Sequence, residues 1–183
     1  MISTDVLKHE HRVIERMINI LKIASEKLNS GEDVPAEIFR KSVDFIRTFA
    51  DKCHHGKEEN ILFNEMENRG MPREGGPIGV MLMEHDEGRR FVKGLADAVE
   101  KYEKNNKEAR TEIIRNALGY SELLTQHIFK EDNILYPMAD QMFANEDQKE
   151  LIKRFDKVDE EMGEGIHHKY VELVEKLEKE LGI

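Results

Sequence analysis

Hydrophobic residues recur along this chain every three or four positions, the period of amphipathic helices, and no stretch shows the two-residue alternation of a strand. The first stripe runs Val6, Leu7, Ile14, Ile18 and Leu21, with Thr4 or Asp5 as candidate caps and Asn29-Ser30-Gly31 as a stop. Pro35 suits the first turn of a second helix that carries Ile38, Phe39, Val43, Phe45, Ile46 and Phe49, then Ile61 and Leu62. Gly70-Met71-Pro72-Arg73-Glu74-Gly75-Gly76-Pro77 reads as a loop. A third helix is predicted from about Ile78 to Tyr102, before the polar run Lys104-Asn105-Asn106-Lys107. A fourth is predicted from about Glu108 to Tyr136, where Pro137 should end or kink it. One last helix should span about Asp147 to Leu181. The expected fold is all-α: an up-down-up-down four-helix bundle over about residues 4–140, with an additional C-terminal helix at 147–181 alongside it or across an end. A length of 183 residues fits a single domain.

Charge and cysteine content narrow the partners. A formal charge of −10 is the opposite of the basic footprint used on nucleic acids or anionic lipid, so neither is expected as a partner. The start, MISTDVLKHEHR, lacks the basic-then-apolar order of a secretory signal, and no run approaches a membrane span. The lone Cys53 cannot form an internal disulfide, which fits a cytoplasmic location. Methionines are read as core filler. The eight histidines change the picture more, because six of them lie beside two copies of one pattern.

That pattern emerges when the second half is laid on the first. Lys57-Glu58-Glu59-Asn60-Ile61-Leu62-Phe63 matches Lys130-Glu131-Asp132-Asn133-Ile134-Leu135-Tyr136 at each position, identically or conservatively. In this register His54 falls on His127 and Glu58 on Glu131, while His55 falls on Ile128. Upstream, Glu10-His11 matches Glu84-His85, and the gap to the next histidine is 43 residues in one half and 42 in the other. The chain therefore reads as a duplicated helical hairpin. Residues four apart share a helix face, so His54 with Glu58 and His127 with Glu131 each form a two-ligand claw within an apolar stripe. A single His-x-x-x-Glu is usually a surface pair. Two in matching register place four histidines and two glutamates inward, where unpaired burial would cost several kcal/mol each. Imidazole and carboxylate together suit iron, manganese or zinc, and bridging carboxylates let a bundle hold two metals.

At EHR, CHHGKEENILF, EHDEGR and HIFKEDNILYP the chain resembles the hemerythrin-like family, the HHE cation-binding domain, over roughly residues 4–140. The resemblance implies a four-helix bundle around a non-haem di-iron centre, two Fe ions bridged by carboxylates and an oxo or hydroxo group. It implies His11, His54, Glu58, His85, His127 and Glu131 as metal ligands, with Glu58 and Glu131 as the bridges. The oxygen-carrying members have a further histidine one turn after the third-helix ligand, where this chain has Arg89. They also place an Asp five residues after the last histidine; Asp132 has that spacing, yet Glu131 fits the repeat better. The set is closer to that of the iron-centre repair proteins and iron-sensing members, which leave the irons less saturated and more open to O2, peroxide or NO. The repair proteins often add an N-terminal module with paired cysteines, which this sequence lacks, so that match is partial.

Two classes of function follow. One is a di-iron protein that binds or reacts with a small diatomic or peroxide; the other is an iron-donating repair enzyme for iron–sulfur clusters, or an iron sensor or buffer. Catalytic residues and protein partners are not assigned. Lesser candidates are His55 (a support for a ligand or an interfacial group), Tyr120 on the inward face, Cys53 as buried filler, and His167 and His168, expected in solvent. Glu10 and Glu84 are expected as exposed helix charge, with a hydrogen bond to a ligand histidine as the alternative. His9 is expected at the surface. Arg89 should pair with nearby acids, and Gly88 is expected to leave room beside His85.

Overall fold

The computed structural model describes residues 2–106 and 108–183, and every element among them is helical. Lys107, in the polar run expected after the third helix, lies outside the described residues. Helix α1 spans Ser3–Asn29. Helix α2 covers 36–68 without interruption, but not as one α-helix: Ala36–Phe45 is α, Ile46–His55 and Glu58–Leu62 are π, and Phe63–Asn68 is α again. Helix α3 is Pro77–Glu103, with Pro77 in its first turn where no N–H is needed. Helix α4 covers 109–142, α over Ala109–Lys130, π over Glu131–Leu135 and α over Tyr136–Met142. Helices α5 and α6 are Asn145–Met162 and Ile166–Leu181.

Three boundaries differ from expectation. Neither Thr4 nor Asp5 caps α1: the helix begins at Ser3, and Asp5 reaches back from the first turn to accept the Ile2 N–H at 2.9 Å. Thr4 instead donates to Asp140 at 2.7 Å. Pro137 does not end α4. The π turn before it carries the Tyr136 N–H to the Glu131 carbonyl, five residues back, so the α ladder restarts where the proline's missing N–H does least harm. The expected single C-terminal helix is broken by Gly163 and Gly165, with φ of 120° and 74°, values that side-chain-bearing residues rarely adopt.

The helices form a ring of neighbours: α1 packs on α4, α4 on α3, α3 on α2 and α2 on α1. Helix α6 lies along α1 and α2, and α5 along α1 and the π segments of α2. Two apolar clusters fill the interior. One contains Ile14, Ala50, Val92, Leu124 and the α6 residues Tyr170, Val174 and Leu177; the other contains Leu7, Ile61, Met81, Leu135 and Phe155 of α5. Each fully buried side chain of this size contributes about 1.5–3 kcal/mol. Between the clusters, every one of the four long helices crosses a layer of buried His and Glu. Helix α1 meets Leu7, then His11, then Ile14; α2 meets Ala50, then His54 and Glu58, then Ile61. Helix α3 repeats the order of α1, and α4 that of α2.

Candidate metal centre

The duplicated pattern converges on one point. His11, His54, Glu58, His85, His127 and Glu131 are all at most 1% exposed. His11 and His127 each direct Nε2 to Oε2 of Glu131 at 3.2 Å; His85 and His54 direct theirs to Oε2 of Glu58 at 3.4 and 3.7 Å. Nε2 of His85 and of His127 lie 3.1 Å apart. Two four-residue groupings share this space, His11-His54-Glu58-Glu131 and His55-Glu58-His85-His127. Both oxygens of Glu131 and Oε2 of Glu58 are buried without a hydrogen-bond partner among the described residues. Carboxylate oxygens left so would be costly, and imidazole nitrogens aimed at them are the donor set for a cation such as iron, zinc or manganese.

The far nitrogen of every one of these four rings is anchored to a carboxylate. Nδ1 of His54 meets Glu10 at 2.8 Å and that of His127 meets Glu84 at 2.9 Å, each acid one helix away but within the same half. Nδ1 of His11 meets Asp132 and that of His85 meets Glu59, both at 2.7 Å, now across the two halves. Such bonds fix the tautomer, turning Nε2 inward as a lone-pair donor once a cation displaces its proton. Glu10 and Glu84 are therefore not the exposed charge that was expected, but hydrogen-bond partners of the buried rings of His54 and His127. Glu59 was not singled out in the sequence; its place in the repeat opposite Asp132 was the available signal.

The π turns explain why adjacent acids serve two roles. In an α-helix, the residue five after His54 or His127 points about 140° away. A π turn holds more residues, so Glu58 and Glu59 (or Glu131 and Asp132) both come to the inner side, one to the centre and one to the opposite ring.

In this arrangement His11 and His127 carry protons. Burial pulls His11 down, but Asp132 and Glu131 outweigh it and hold it at about 9. Burial likewise opposes His127, which Glu131 and Glu84 hold at about 10. Burial would raise Glu131, yet His127 and His11 keep it well below the usual carboxylate range. Tyr136, wholly buried, donates to Oε1 of Glu58 at 2.6 Å. Its phenol stays neutral, because burial and the charges of Glu131 and Glu58 push it far up.

The remaining candidates fall around this core. His55 is buried and stacks on His85 with ring centroids 3.7 Å apart, its Nδ1 near Asp51 at 3.3 Å. Arg89 pairs with Asp51 and Glu59 at 2.8 Å and with Asp86 at 2.9 Å. Tyr120 is buried and its hydroxyl has no partner among the described residues. Cys53 is buried, its Sγ 3.1 Å from Asp159, and burial pushes the thiol far up. His168 is exposed, as expected, but His167 lies 3.2 Å from Glu10 and 3.1 Å from Asp159. His9 is exposed and bonds the Asp5 carbonyl.

The family model of the hemerythrin HHE cation-binding domain matches residues 3–139. An uncharacterized protein of Mycobacterium tuberculosis is 24% identical over 180 residues, covering 97% of this chain and 69% of its own length. One of Mycobacterium bovis matches to the same extent. The iron-sulfur cluster repair protein YtfE of Salmonella typhimurium is 40% identical over 93 residues, 47% of this chain and 40% of that protein.

Proposed function

The chain belongs to the hemerythrin HHE cation-binding domain family, and from that premise we propose that it is a non-haem di-iron protein whose centre meets a small oxygen or nitrogen species. The observation that carries the reading is the set of orphaned carboxylate oxygens of Glu58 and Glu131 faced by four Nε2 atoms in a sealed layer. His11 and His54 would hold one ion, His85 and His127 the other, with Glu58 and Glu131 shared between them. The alternating order in which α1 to α4 cross that layer supports an up-down-up-down bundle, with α5 and α6 packed on it as part of one domain.

Iron so held supplies redox change and Lewis acidity toward O2, peroxide or NO. The protein's own contribution is geometric. The four Nδ1 anchors keep the rings from rotating, the apolar clusters above and below exclude water, and Tyr136 holds a proton beside Glu58. The test is iron content and absorption of protein reconstituted with ferrous iron without oxygen, then exposed to O2, peroxide and NO in turn. About two irons per chain, and a spectrum that changes with one of these gases or with peroxide, support the proposal. Less than one iron, or stoichiometric zinc or manganese taken up in preference, refutes it.

A second reading is favoured by the similarity to the iron-sulfur cluster repair protein and by the nitrogen ligand absent at Arg89. In it the same centre is a labile iron store that donates iron to damaged clusters. Transfer of iron to an apo iron–sulfur protein faster than to a free chelator, with no turnover of peroxide or NO, would select it.

A further inference from the structure

The two halves of the centre match in sequence but not in what covers them. On the His54 side, Glu10 also holds the Nζ of Lys57, which is wholly buried and 2.6 Å from Asp159, and His167 closes over both. The C-terminal pair α5 and α6 thus packs over that half, and the groove left at its surface, lined by Val6, His9, Glu10, Val13 and His167, reaches none of the four inward rings. On the other side the equivalent Lys130 is 32% exposed and pairs only with Glu84. A chamber of about 120 Å³ opens there between α2, α3 and α4. It runs from Arg47, Asp51 and Arg89 at the rim to His55, His85 and Tyr120 inside.

From this asymmetry we infer that the small ligand meets the metal position held by His85 and His127, not the one held by His11 and His54, and that it enters through this chamber as an uncharged molecule accepting a hydrogen bond from Tyr120. The inference rests on the di-iron reading and specifies which half of the centre it uses. Arg89 stands where the oxygen carriers place an additional histidine; the further nitrogen near the His85–His127 position is that of His55, which stacks on His85 and lines the chamber together with Gly88 and Arg89. The Arg89 guanidinium turns to Asp51, Glu59 and Asp86. Counting Arg47 and Arg89 against Asp51, Glu59 and Asp86, the rim carries no excess of positive charge to attract an anion. The buried, unpartnered group in the lining is the Tyr120 hydroxyl. Burial keeps the phenol protonated, so it has a hydrogen to donate. The volume accommodates a molecule of two to about four heavy atoms and excludes a metabolite-sized substrate.

The test uses the full chain and four variants, with iron content measured on each so that loss of the centre is told apart from loss of access. Val92→Phe fills the chamber; Val13→Phe fills the groove over Glu10 and His167 on the opposite side. Tyr120→Phe removes the donor, and Arg89→His restores the histidine of the oxygen carriers. Nitric oxide, and azide as the anionic counterpart, are mixed with the diferrous protein. Metal-free protein is equilibrated with xenon under pressure and observed by xenon NMR. The expected result is about two irons per chain throughout, nitric oxide uptake at least tenfold slower in Val92→Phe and Arg89→His, and unchanged uptake in Val13→Phe. Nitric oxide release should be about tenfold faster in Tyr120→Phe, the worth of one hydrogen bond. Xenon should occupy the unaltered chamber and be excluded by Val92→Phe alone. Slower uptake in Val13→Phe with no change in Val92→Phe, or azide binding more tightly than nitric oxide and weakened by Tyr120→Phe, would overturn the inference. Should Val92→Phe not fold, unchanged nitric oxide kinetics in both Tyr120→Phe and Arg89→His overturn it equally. Loss of iron from the unaltered chain would instead count against the di-iron reading itself.

Discussion

Glu10 and Glu84 occupy equivalent places in the repeat, so replacing each by Gln separates the sequence pattern from its surroundings. The Glu10 carboxylate is 2% exposed and serves His54, Lys57 and His167 together. Removing its charge leaves the wholly buried Lys57 ammonium with Asp159 as its remaining carboxylate. Breaking a buried ion pair by neutralising one partner costs about 3–5 kcal/mol. Because Asp159 stays and Gln preserves the shape, the expected loss for Glu10→Gln is about 2–4 kcal/mol. The partner of Glu84 is the part-exposed Lys130, which can turn to water, so Glu84→Gln should cost about 1 kcal/mol. Urea unfolding of the metal-free protein measures both. Metal affinity, read by chelator competition, should fall about 10–100-fold in either variant, because each loses one anchor of a ligand ring. A double change, Glu10→Gln with Lys57→Met, should recover part of the lost stability, since no buried cation is then left short of a partner. Equal stability losses for the two Gln variants would refute the reasoning that the C-terminal pair isolates one half from solvent.

Other outcomes follow from the same geometry. Glu131→Gln should retain helicity by circular dichroism but bind less than two irons per chain, since one shared carboxylate is gone; full iron occupancy would contradict its bridging place. In metal-free protein His11 and His127 sit at about 9 and about 10, above their ordinary value, so the stability their protons give is complete below about pH 6.5 and lost as pH rises through 9 to 10. Metal competes for those nitrogens, so affinity should climb over that window, with about two protons released per chain on loading at neutral pH; pH-stat titration checks this. Asp159 is held at about 2, where burial is outweighed by His167 and Lys57, so the stability it gives is present above about pH 4 and lost as pH falls toward 2; Asp159→Asn should flatten that part of the acid unfolding curve. Gly165→Ala should cost about 1 kcal/mol by urea unfolding, because φ is 74° there and open space leaves no compensating contact.

How far the sequence revealed this arrangement depended on whether the information was periodic. Helical stripes located α1 to α4, and the self-match of the two halves brought His11, His54, Glu58, His85, His127 and Glu131 to one point without any structural input. What periodicity missed was carried by irregularity. The four-residue spacing gave a place to Glu58 and Glu131 but none to Glu59, and the repeat preferred Glu131 to Asp132, whereas Glu59 and Asp132 bond His85 and His11. An assumed α period also made Pro137 an end or a kink and joined α5 to α6, because a proline after a π turn and a glycine at positive φ look the same in one dimension as a break or an exposed link. Glu10 and Glu84 read as surface charge for a related reason: each precedes a ligand by one residue, and only the neighbouring helix shows that its carboxylate reaches the next ring rather than water.

A duplicated site need not work symmetrically. In the four ring anchors the two halves remain equivalent, with a carboxylate on each Nδ1 at 2.7 to 2.9 Å. Ligand orientation alone would then give two metal positions of similar character. The departures lie one layer further out. Residues 145–181 supply Asp159 and His167 to one half only, and Arg89 pairs with Asp51 and Glu59 in the other. One half has gained neighbours that exclude water from Lys57, while the other borders a chamber with an unsatisfied phenol. Desolvation strengthens every charge interaction on the first side and access favours exchange on the second. Division of labour between the two positions, one retentive and one reactive, thus requires no change in the ligands themselves, and it predicts that substitutions in α5 and α6 alter metal retention more than ligand uptake.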